Sequence, residues 1–322
     1  MVNFSLNKAI KGRKFLAITV IAFWLFAFPI GVFSSESQKV FVDGDVSSSG
    51  DGSSSHPYKT IGEALEEVQE NGEIFIKEGT YKENLELGNG IEIYGDAGSK
   101  EDVVIQAEDD DESVVIMGDE TKINKVTIKG GKHGIKVKDT SKASIEKCLI
   151  KDNKQDGINI ESDGVKKSRL VYIADNEIKD NNDAGIYSGK RRLTIEDNQI
   201  ENNDGDGIDI EKGSRVWAKG NRVNENHKSG IKIGIDKSEI WIKSNSIRNN
   251  KREGVEVSFY QEAGKIEISK SKILNNGNYG VARVQRNLST SSGLWANYLI
   301  FGAGNSITGN DSGQISGIFL VK

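Results

Sequence analysis

Residues 198–210 read NQIENNDGDGIDI, and residues 221–233 read NRVNENHKSGIKI, so one pattern returns after 23 positions. Two marks recur in both stretches. The first is an Asn followed two residues later by an aliphatic residue, and the second is a Gly-aliphatic pair nine residues after that Asn. A period of roughly 20 to 50 residues indicates a solenoid, in which each repeat forms one coil of a stack.

The repeat extends over seven Gly-aliphatic pairs, whose spacing varies between 22 and 28 residues. The distance from the Asn mark to the next Gly is nine residues in all six coils, with Cys148 and Ser271 replacing Asn in two of them. We therefore expect insertions only in the loop after the first strand, at about 161–169 and 257–263, on one side of the stack. The pairs begin at Gly134, Gly157, Gly185, Gly207, Gly230, Gly254 and Gly280, and the Asn marks are Asn176, Asn198, Asn221 and Asn245.

Aliphatic residues alternate with polar ones inside each coil, as in Gly207-Ile208-Asp209-Ile210, Val216-Trp217-Ala218 and Arg222-Val223. A period of two predicts three short strands with one face inward. Coils stacked about 4.8 Å apart share a continuous core and close each other's backbone ladders. Helical solenoids are excluded by this period, and leucine-rich repeats by the scarcity of Leu at these positions. The pattern predicts an all-β parallel β-helix.

These marks resemble the pectate-lyase-like (pectin lyase fold) superfamily from about residue 39 to the end. In that superfamily Asn side chains stack as a ladder in one turn, which the Asn marks match. The stretches 41–45 (FVDGD), 50–52 (GDG) and 56–61 (HPYKTI) are similar to the opening of many exported members. The resemblance implies a single-stranded right-handed parallel β-helix, with repeats over residues 101–322.

Thr60 and Glu63 form a predicted capping box, and Ile61, Ala64, Leu65 and Val68 follow at helical spacing. We expect this helix to cap the first coil, because an open end would expose unpaired strand edges. Residues 35–100 are interpreted as the N-terminal cap and first coils.

The N-terminus has the pattern of a targeting segment, since four basic residues precede an uncharged apolar run over residues 15–33. Residues 1–34 are predicted to be a signal peptide, cleaved after Ser34 or Ser35, and the protein is then secreted or lies in the cell envelope or periplasm. The alternative is an uncleaved anchor, because 19 apolar residues nearly span a bilayer. The basic residues are Lys8, Lys11, Arg13 and Lys14.

Removal of residues 1–34 takes away four basic and no acidic side chains, so the formal charge falls from −5 to −9. A nucleic-acid partner is therefore not expected. No later segment is apolar enough to cross a membrane, and we expect a monomer. Cys148 is the only cysteine, which leaves a buried thiol and no intrachain disulfide.

The third residue of each Gly-Ile-x-Ile segment is predicted to face outward. Superfamily members that act on polysaccharides place their cleft along this sheet, where Asp209, Lys232 and Glu256 would be vertical neighbours. A uronide lyase needs a base such as Lys and acidic residues or calcium to hold the carboxylate. The alternative is a solvated ladder of cross-coil charge pairs, in which the acids keep Lys232 protonated. The stripe is Lys136, Asn159, Tyr187, Asp209, Lys232, Glu256 and Ala282.

A glycoside hydrolase is the second enzyme hypothesis, because Asp156, Asp183 and Asp206 precede the first strand on three successive coils and His227 follows. Asp156-Gly157-Ile158 and His227 resemble single positions of the polygalacturonase motifs, but the paired Asp-Asp and the Arg-Ile-Lys are missing. Inverting hydrolysis needs carboxyls about 6.5 to 9.5 Å apart. The alternative is that Asn, Asp and Gly occur here only because tight turns require them.

Trp217 and Trp241 lie at outward positions of the second strand on adjacent coils. Together with Tyr187 they are candidate sugar-binding residues, because aromatic rings offer flat apolar surfaces. The alternative is that the two indoles cover each other.

Asp43, Asp45 and Asp51 are candidate calcium ligands in a Gly-rich loop, although their spacing fits no EF-hand and a flexible linker explains them equally well. With three His and two Met, the chain does not match the copper-handling β-helix family.

The sequence thus predicts an exported β-helix that binds or processes polysaccharide or a cell-surface glycan, with a lyase or hydrolase on acidic glycans as the enzymatic forms. The alternative is a non-catalytic structural or adhesive β-helix at the cell surface.

Overall fold

The computed structural model describes residues 37–139, 141–162, 169–259, 264–285, 299–316 and 320–321. The predicted signal peptide, residues 1–34, lies outside them. Within the described part, no helix has the length and apolar character needed to cross a bilayer.

Three parallel sheets make up the described β-structure. Successive strands of one sheet are three strands apart in the chain, except for the first two strands of sheet 2 and the final strand, Leu320–Val321. This order confirms the single-stranded parallel β-helix, in which every coil gives one strand to each sheet. Sheet 1 holds the Gly-Ile strands, sheet 2 the strands with Trp217 and Trp241, and sheet 3 the strands that follow the Asn marks.

The strands of sheet 1 are Leu85–Glu86, Val115–Met117, Ile135–Val137, Ile158–Ile160, Ile186–Ser188, Ile208–Ile210, Ile231–Ile235, Val255–Phe259, Tyr279–Gln285, Gly313–Ile315 and Leu320–Val321. Those of sheet 2 are Lys39–Val42, Glu73–Ile76, Glu92–Gly95, Thr121–Asn124, Ala143–Glu146, Leu170–Ala174, Arg192–Glu196, Arg215–Lys219, Glu239–Lys243, Lys265–Ser269 and Leu299–Phe301. Those of sheet 3 are Gly79–Lys82, Val103–Gln106, Thr127–Lys129, Leu149–Lys151, Glu177–Lys179, Gln199–Glu201, Arg222–Asn224, Ser246–Arg248, Lys272–Leu274 and Ser306–Thr308.

The core is a set of aliphatic columns that run along the stack. Ile186, Ile208 and Ile231 are paired in register in sheet 1, and all three are fully buried. Each such side chain contributes about 1.5 to 3 kcal/mol when it is removed from water. The inward half of the predicted alternation is therefore the core.

The predicted Asn ladder is present, and its amides link consecutive coils. Asn198 donates from Nδ2 to Oδ1 of Asn221 at 3.0 Å and to the carbonyl of Ile173 at 2.9 Å. The Asn221 oxygen also accepts from the backbone N–H of Asn198 at 3.0 Å. Cys148 and Ser271 occupy this column, as the sequence predicts, and Cys148 is fully buried. Burial raises the pKa of its thiol to about 12.

A second ladder, which the sequence analysis missed, runs five residues after the first in each coil. Asn203 donates to Oδ1 of Asn226 at 3.0 Å and to the carbonyl of Ile178 at 3.2 Å. The residue before a ladder Asn has a left-handed backbone, as at Asn202 (φ 54°) and Glu225 (φ 58°). The buried amides hold this turn against its steric cost. The members are Asn153, Asn181, Asn203, Asn226, Asn250, Asn276 and Asn310.

The recurring glycines are required by close packing between coils. A Cβ on Gly207 would lie 2.4 Å from Cγ1 of Val223, 2.7 Å from the carbonyl oxygen of Gly230 and 2.8 Å from Nδ2 of Asn226. No side chain fits this space, so the Gly of each pair lets the second ladder approach sheet 1.

The predicted cap is the helix Ile61–Glu67, which contacts the first two strands of sheet 2. Its capping box is formed by Thr60 and Glu63. Glu83 adds a second anion at the helix start, accepting from the backbone N–H groups of Ile61 at 2.9 Å and Gly62 at 2.7 Å. These contacts satisfy N–H groups that have no partner inside the helix.

Replacing Asn203 by Ala should destabilise the fold by about 3 kcal/mol, because it leaves the buried oxygen of Asn226 and the carbonyl of Ile178 without this donor. Denaturant unfolding measures the loss. The matched control is Asn182→Ala, an exposed Asn next to the ladder residue of the preceding coil, with an expected change below about 0.5 kcal/mol. Equal losses in the two variants would contradict this role of the second ladder.

Candidate functional site

The predicted outward stripe of sheet 1 is aligned as the sequence indicates. Asn159 pairs with Tyr187, Tyr187 with Asp209, Asp209 with Lys232, and Lys232 with Glu256. Five successive coils thus bring these side chains into one column.

Asp206, Asp209 and Lys232 form the acid–lysine cluster. Lys232 donates from Nζ to Oδ2 of Asp209 at 2.6 Å and lies 3.8 Å from Oδ2 of Asp206. Because both carboxylates contact one ammonium, these two oxygens are at most 6.4 Å apart. This limit lies between the roughly 5 to 5.5 Å of retaining glycosidases and the roughly 6.5 to 9.5 Å of inverting ones.

Asp206 reaches the cluster because it directly precedes Gly207. It is 6% exposed, and its Oδ1 accepts from the backbone N–H of Ser229 in the next coil at 2.8 Å. Asp156 makes the same contact with the N–H of Ala184 at 3.1 Å. The backbone therefore fixes one carboxylate oxygen and directs the other toward the outer face of sheet 1.

Asp183 precedes the first strand of its coil, as the sequence indicates, but it stands two residues before Gly185, whereas Asp156 and Asp206 stand directly before Gly157 and Gly207. The N–H of Asp183 bonds to the carbonyl of Gln155, one position before Asp156. Its carboxylate is exposed and lies 3.4 Å from Nζ of Lys228. His227 pairs with Asp204 at 2.8 Å, and both side chains are exposed.

Burial and mutual charge set the protonation of the cluster. Burial, with the nearby charge of Asp209, raises the pKa of Asp206 to about 6 in spite of Lys232. Burial also raises the pKa of Asp209. Burial opposes the charge of Lys232, but Asp209, Asp206 and Glu256 outweigh it and raise the pKa of the ammonium. Lys232 therefore stays protonated, which suits binding an anion and not removing a proton.

Tyr187 and Glu256 lie on either side of the cluster. Burial, followed by the charges of Glu211 and Asp209, raises the pKa of Tyr187, so its phenol keeps its proton. Glu256 was expected to face solvent, but it is only 3% exposed and accepts from the hydroxyl of Ser258 at 3.1 Å. Its strand, Val255–Phe259, is buried on both faces, so Glu256 acts on the cluster through its charge.

Trp217 and Trp241 project outward from sheet 2, and their rings stack face to face with centroids 4.8 Å apart. The guanidinium of Arg215 lies 5.0 Å from the centroid of Trp217. Each indole thus covers one face of the other, which is the arrangement of the alternative interpretation. Phe41, Phe75 and Tyr94 form a similar stack in the first coils of sheet 2, and the sequence analysis missed it.

The candidate calcium ligands do not converge. Asp43 pairs with Lys77 at 2.9 Å and accepts from the N–H of Asp45, while Asp51 accepts from the N–H of Ser53. Among the described residues, the one group of three or more His, Cys, Asp or Glu side chains with ligand atoms within 4.8 Å of one another is the exposed run 109–111.

Comparison with known proteins shows the family. The model of the right-handed beta helix region matches residues 67–168, 112–233 and 165–293, and the chain belongs to this family. No curated protein matches the chain.

Among solved structures, the A-module of the Azotobacter vinelandii mannuronan C-5 epimerase AlgE4 is 15% identical, with a TM-score of 0.54 over 88% of this chain and 97% of that one. Pectate lyase Pel9A is 14% identical, with a TM-score of 0.42 over 86% and 79%. The periplasmic alginate epimerase AlgG, as a double mutant, is 16% identical, with a TM-score of 0.43 over 78% and 76%. At these identities the likeness is one of fold.

Asp206 should make the stability of the protein fall as pH rises. Its pKa is 3.8 as an ordinary carboxyl and about 6 in the folded state, so the folded state binds the proton more tightly. The contribution is complete below pH 3.8 and is lost as pH rises through about 6. We expect Asp206→Asn to remove on the order of 3 kcal/mol of this pH dependence in denaturant unfolding.

Asp183→Asn, which neutralises an exposed carboxylate on the same side of the preceding coil, is the matched control and should leave the slope unchanged. A slope in Asp206→Asn equal to that of the wild type would show that Asp206 does not titrate in this range.

Proposed function

We propose that this protein binds an acidic polysaccharide along the outer face of sheet 1 and removes the C5 proton of a uronate residue at the acid–lysine cluster. The observation that carries the proposal is the pair of carboxylates, Asp206 and Asp209, in contact with the protonated Lys232 on an outward-facing column. Loss of a proton next to a carboxylate requires a base and a cation that holds the carboxylate, and the cluster contains both.

Each residue of the acid–lysine cluster has its own role in this reaction. Lys232 binds the uronate carboxylate and stabilises the negative charge that develops when the C5–H bond breaks. Asp209 takes the proton, because it belongs to the outward column, contacts Lys232, and has a pKa that burial raises. Asp206 contacts the same ammonium from the turn that precedes the strand, and its charge helps to keep Lys232 protonated.

The carbanion that forms at C5 when the proton is removed can react in two ways. If the C4–O bond breaks, the electron pair moves into a C4–C5 double bond, and the leaving oxygen takes a proton: the reaction is a lyase cleavage. If C5 regains a proton from its opposite face, the configuration inverts and the chain stays intact. The phenol of Tyr187, which pairs with Asp209 in register and keeps its proton, is a suitable donor in either case.

The similarity of fold to a known C5 epimerase is consistent with this proposal, but the proposal is based on the acid–lysine cluster. The name of the Azotobacter vinelandii enzyme states a reaction at C5 of mannuronan, and its A-module shares the β-helix. Export to the cell envelope or beyond, a monomeric state and the absence of a nucleic-acid partner remain predictions from the sequence.

The test is deuterium exchange at C5. The full chain is incubated in D₂O with polygalacturonate, polymannuronate and a neutral glucan, and the products are analysed by NMR. We expect deuterium at C5 or a 4,5-unsaturated end with one polyuronate and none with the glucan. Lys232→Met and Asp209→Asn should each lower the rate at least about 100-fold.

The matched control is Lys136→Met on the same stripe, where Lys136 pairs with Glu161 at 2.8 Å, outside the cluster. It should retain wild-type exchange. New reducing ends without exchange or unsaturation would instead establish a hydrolase. Retention of a polyuronate without any product would establish the non-catalytic binding protein, and either result would overturn the proposed reaction.

A further inference from the structure

A concentration of basic side chains occupies the turn from sheet 1 to sheet 2 on three successive coils. We define the basic corner as Lys190, Arg192, Lys212, Arg215 and Lys237. Two adjoining concavities, of about 80 and 480 Å³, share Lys190 and Lys237 in their walls. Their combined lining has six basic residues, including Arg191, and three acidic ones, whereas the chain as a whole has a net charge of −5.

The corner is continuous with the site of the proposed function. The larger concavity extends from Lys190 and Lys212 to Tyr187, the residue that pairs with Asp209 in sheet 1. On its other side, Arg192 and Arg215 lie against Trp217, with guanidinium carbons 5.7 and 5.0 Å from the ring centroid. One surface thus leads from the acid–lysine cluster around the corner to the tryptophan stack.

Several of these cations are held in place before any ligand arrives. Stacking on Trp217 orders both Arg192 and Arg215. The stem of Lys190 lies over Gly213, where a Cβ would come 2.9 Å from its Cε. Beneath them Arg191 is 2% exposed and donates to the carbonyls of Lys138 and Asp139 at 3.0 Å and of Glu161 at 3.1 Å. This buried guanidinium fixes the turn and adds positive charge below the surface.

We propose that the basic corner is a second subsite for the acidic polysaccharide, which binds uronate carboxylates of the chain several sugars away from the reacting residue. The inference rests on the proposed function for the identity of the ligand. It adds the path of the bound polysaccharide, which runs past Tyr187, across the basic corner and toward Trp217. A carboxylated glycan suits this surface because its charges repeat along a chain, as the cations repeat from coil to coil.

Glu239 competes with such a ligand. Its carboxylate lies 3.1 Å from Nε of Arg215, and both side chains are about half exposed. A uronate carboxylate that binds Arg215 must displace it. Removing the charge of Glu239 should therefore strengthen binding, whereas removing a basic charge should weaken it.

The test measures binding of oligogalacturonate and oligomannuronate to the full chain by titration calorimetry at low and high salt. The variant Lys190→Gln/Arg192→Gln should bind about 5- to 20-fold more weakly, with a smaller dependence on salt. Glu239→Gln should bind about 2- to 5-fold more tightly. The matched control, Arg248→Gln/Lys272→Gln, removes one Arg and one Lys from sheet 3 and should bind like the wild type.

The outcomes separate this subsite from the proposed reaction. C5 exchange by the wild type with unchanged affinity in the Lys190/Arg192 variant overturns the subsite and leaves the reaction intact. Weakened affinity in that variant, without exchange by the wild type, supports the subsite and overturns the reaction. Equal affinity for a DNA oligonucleotide of the same charge, or no binding of either oligouronate, would overturn the subsite as a glycan site.

Discussion

The close stacking of one coil on the next is the constraint on which the rest of the structure depends. Buried Asn side chains at the two turns around sheet 3 share their amides between consecutive coils, at 3.0 Å in both ladders. They satisfy backbone groups that would otherwise be buried without partners, and they hold left-handed turn residues such as Asn202 and Glu225 in place. Because Gly207 and its equivalents leave room for the second ladder, each sheet 1 strand starts at the same height in its coil.

That register gives the candidate site its geometry. Asp209 and Lys232 are 23 residues apart in the chain, yet they meet at 2.6 Å because their strands pair position for position. Asp206 stands in the turn before the strand, and the backbone N–H of Ser229 in the next coil holds its carboxylate in place. A backbone group that repeats in every coil thus positions a buried carboxylate. A solenoid can thus build a reactive cluster by substitution at outward positions, without changing the coil that supports it.

Much of this was predictable from the sequence, because period-two alternation and invariant spacing are direct consequences of coil stacking. The fold and the alignment of Asp209 with Lys232 follow from such spacing. The first Asn ladder was expected from the resemblance to the superfamily, and the capping helix from the capping box of Thr60 and Glu63. The second ladder was equally regular, but Asn203 and Asn226 stand in turn-forming stretches where Asn has an ordinary explanation. Asp183 precedes its strand as expected, but it stands two residues before Gly185, and its exposed carboxylate contacts Lys228 instead of the cluster. The face-to-face indoles and the burial of Glu256 depend on ring orientation and on covering residues, which alternation does not specify.

The most direct test of the proposed site is a crystal structure of the full chain with a bound oligouronate. The proposal predicts one uronate carboxylate within hydrogen-bonding distance of Nζ of Lys232, with its C5–H directed at Asp209 and the remaining sugars leading past Tyr187. An oligouronate bound on another face of the solenoid, with no carboxylate at Lys232, would contradict the assignment of the acid–lysine cluster as the reactive site.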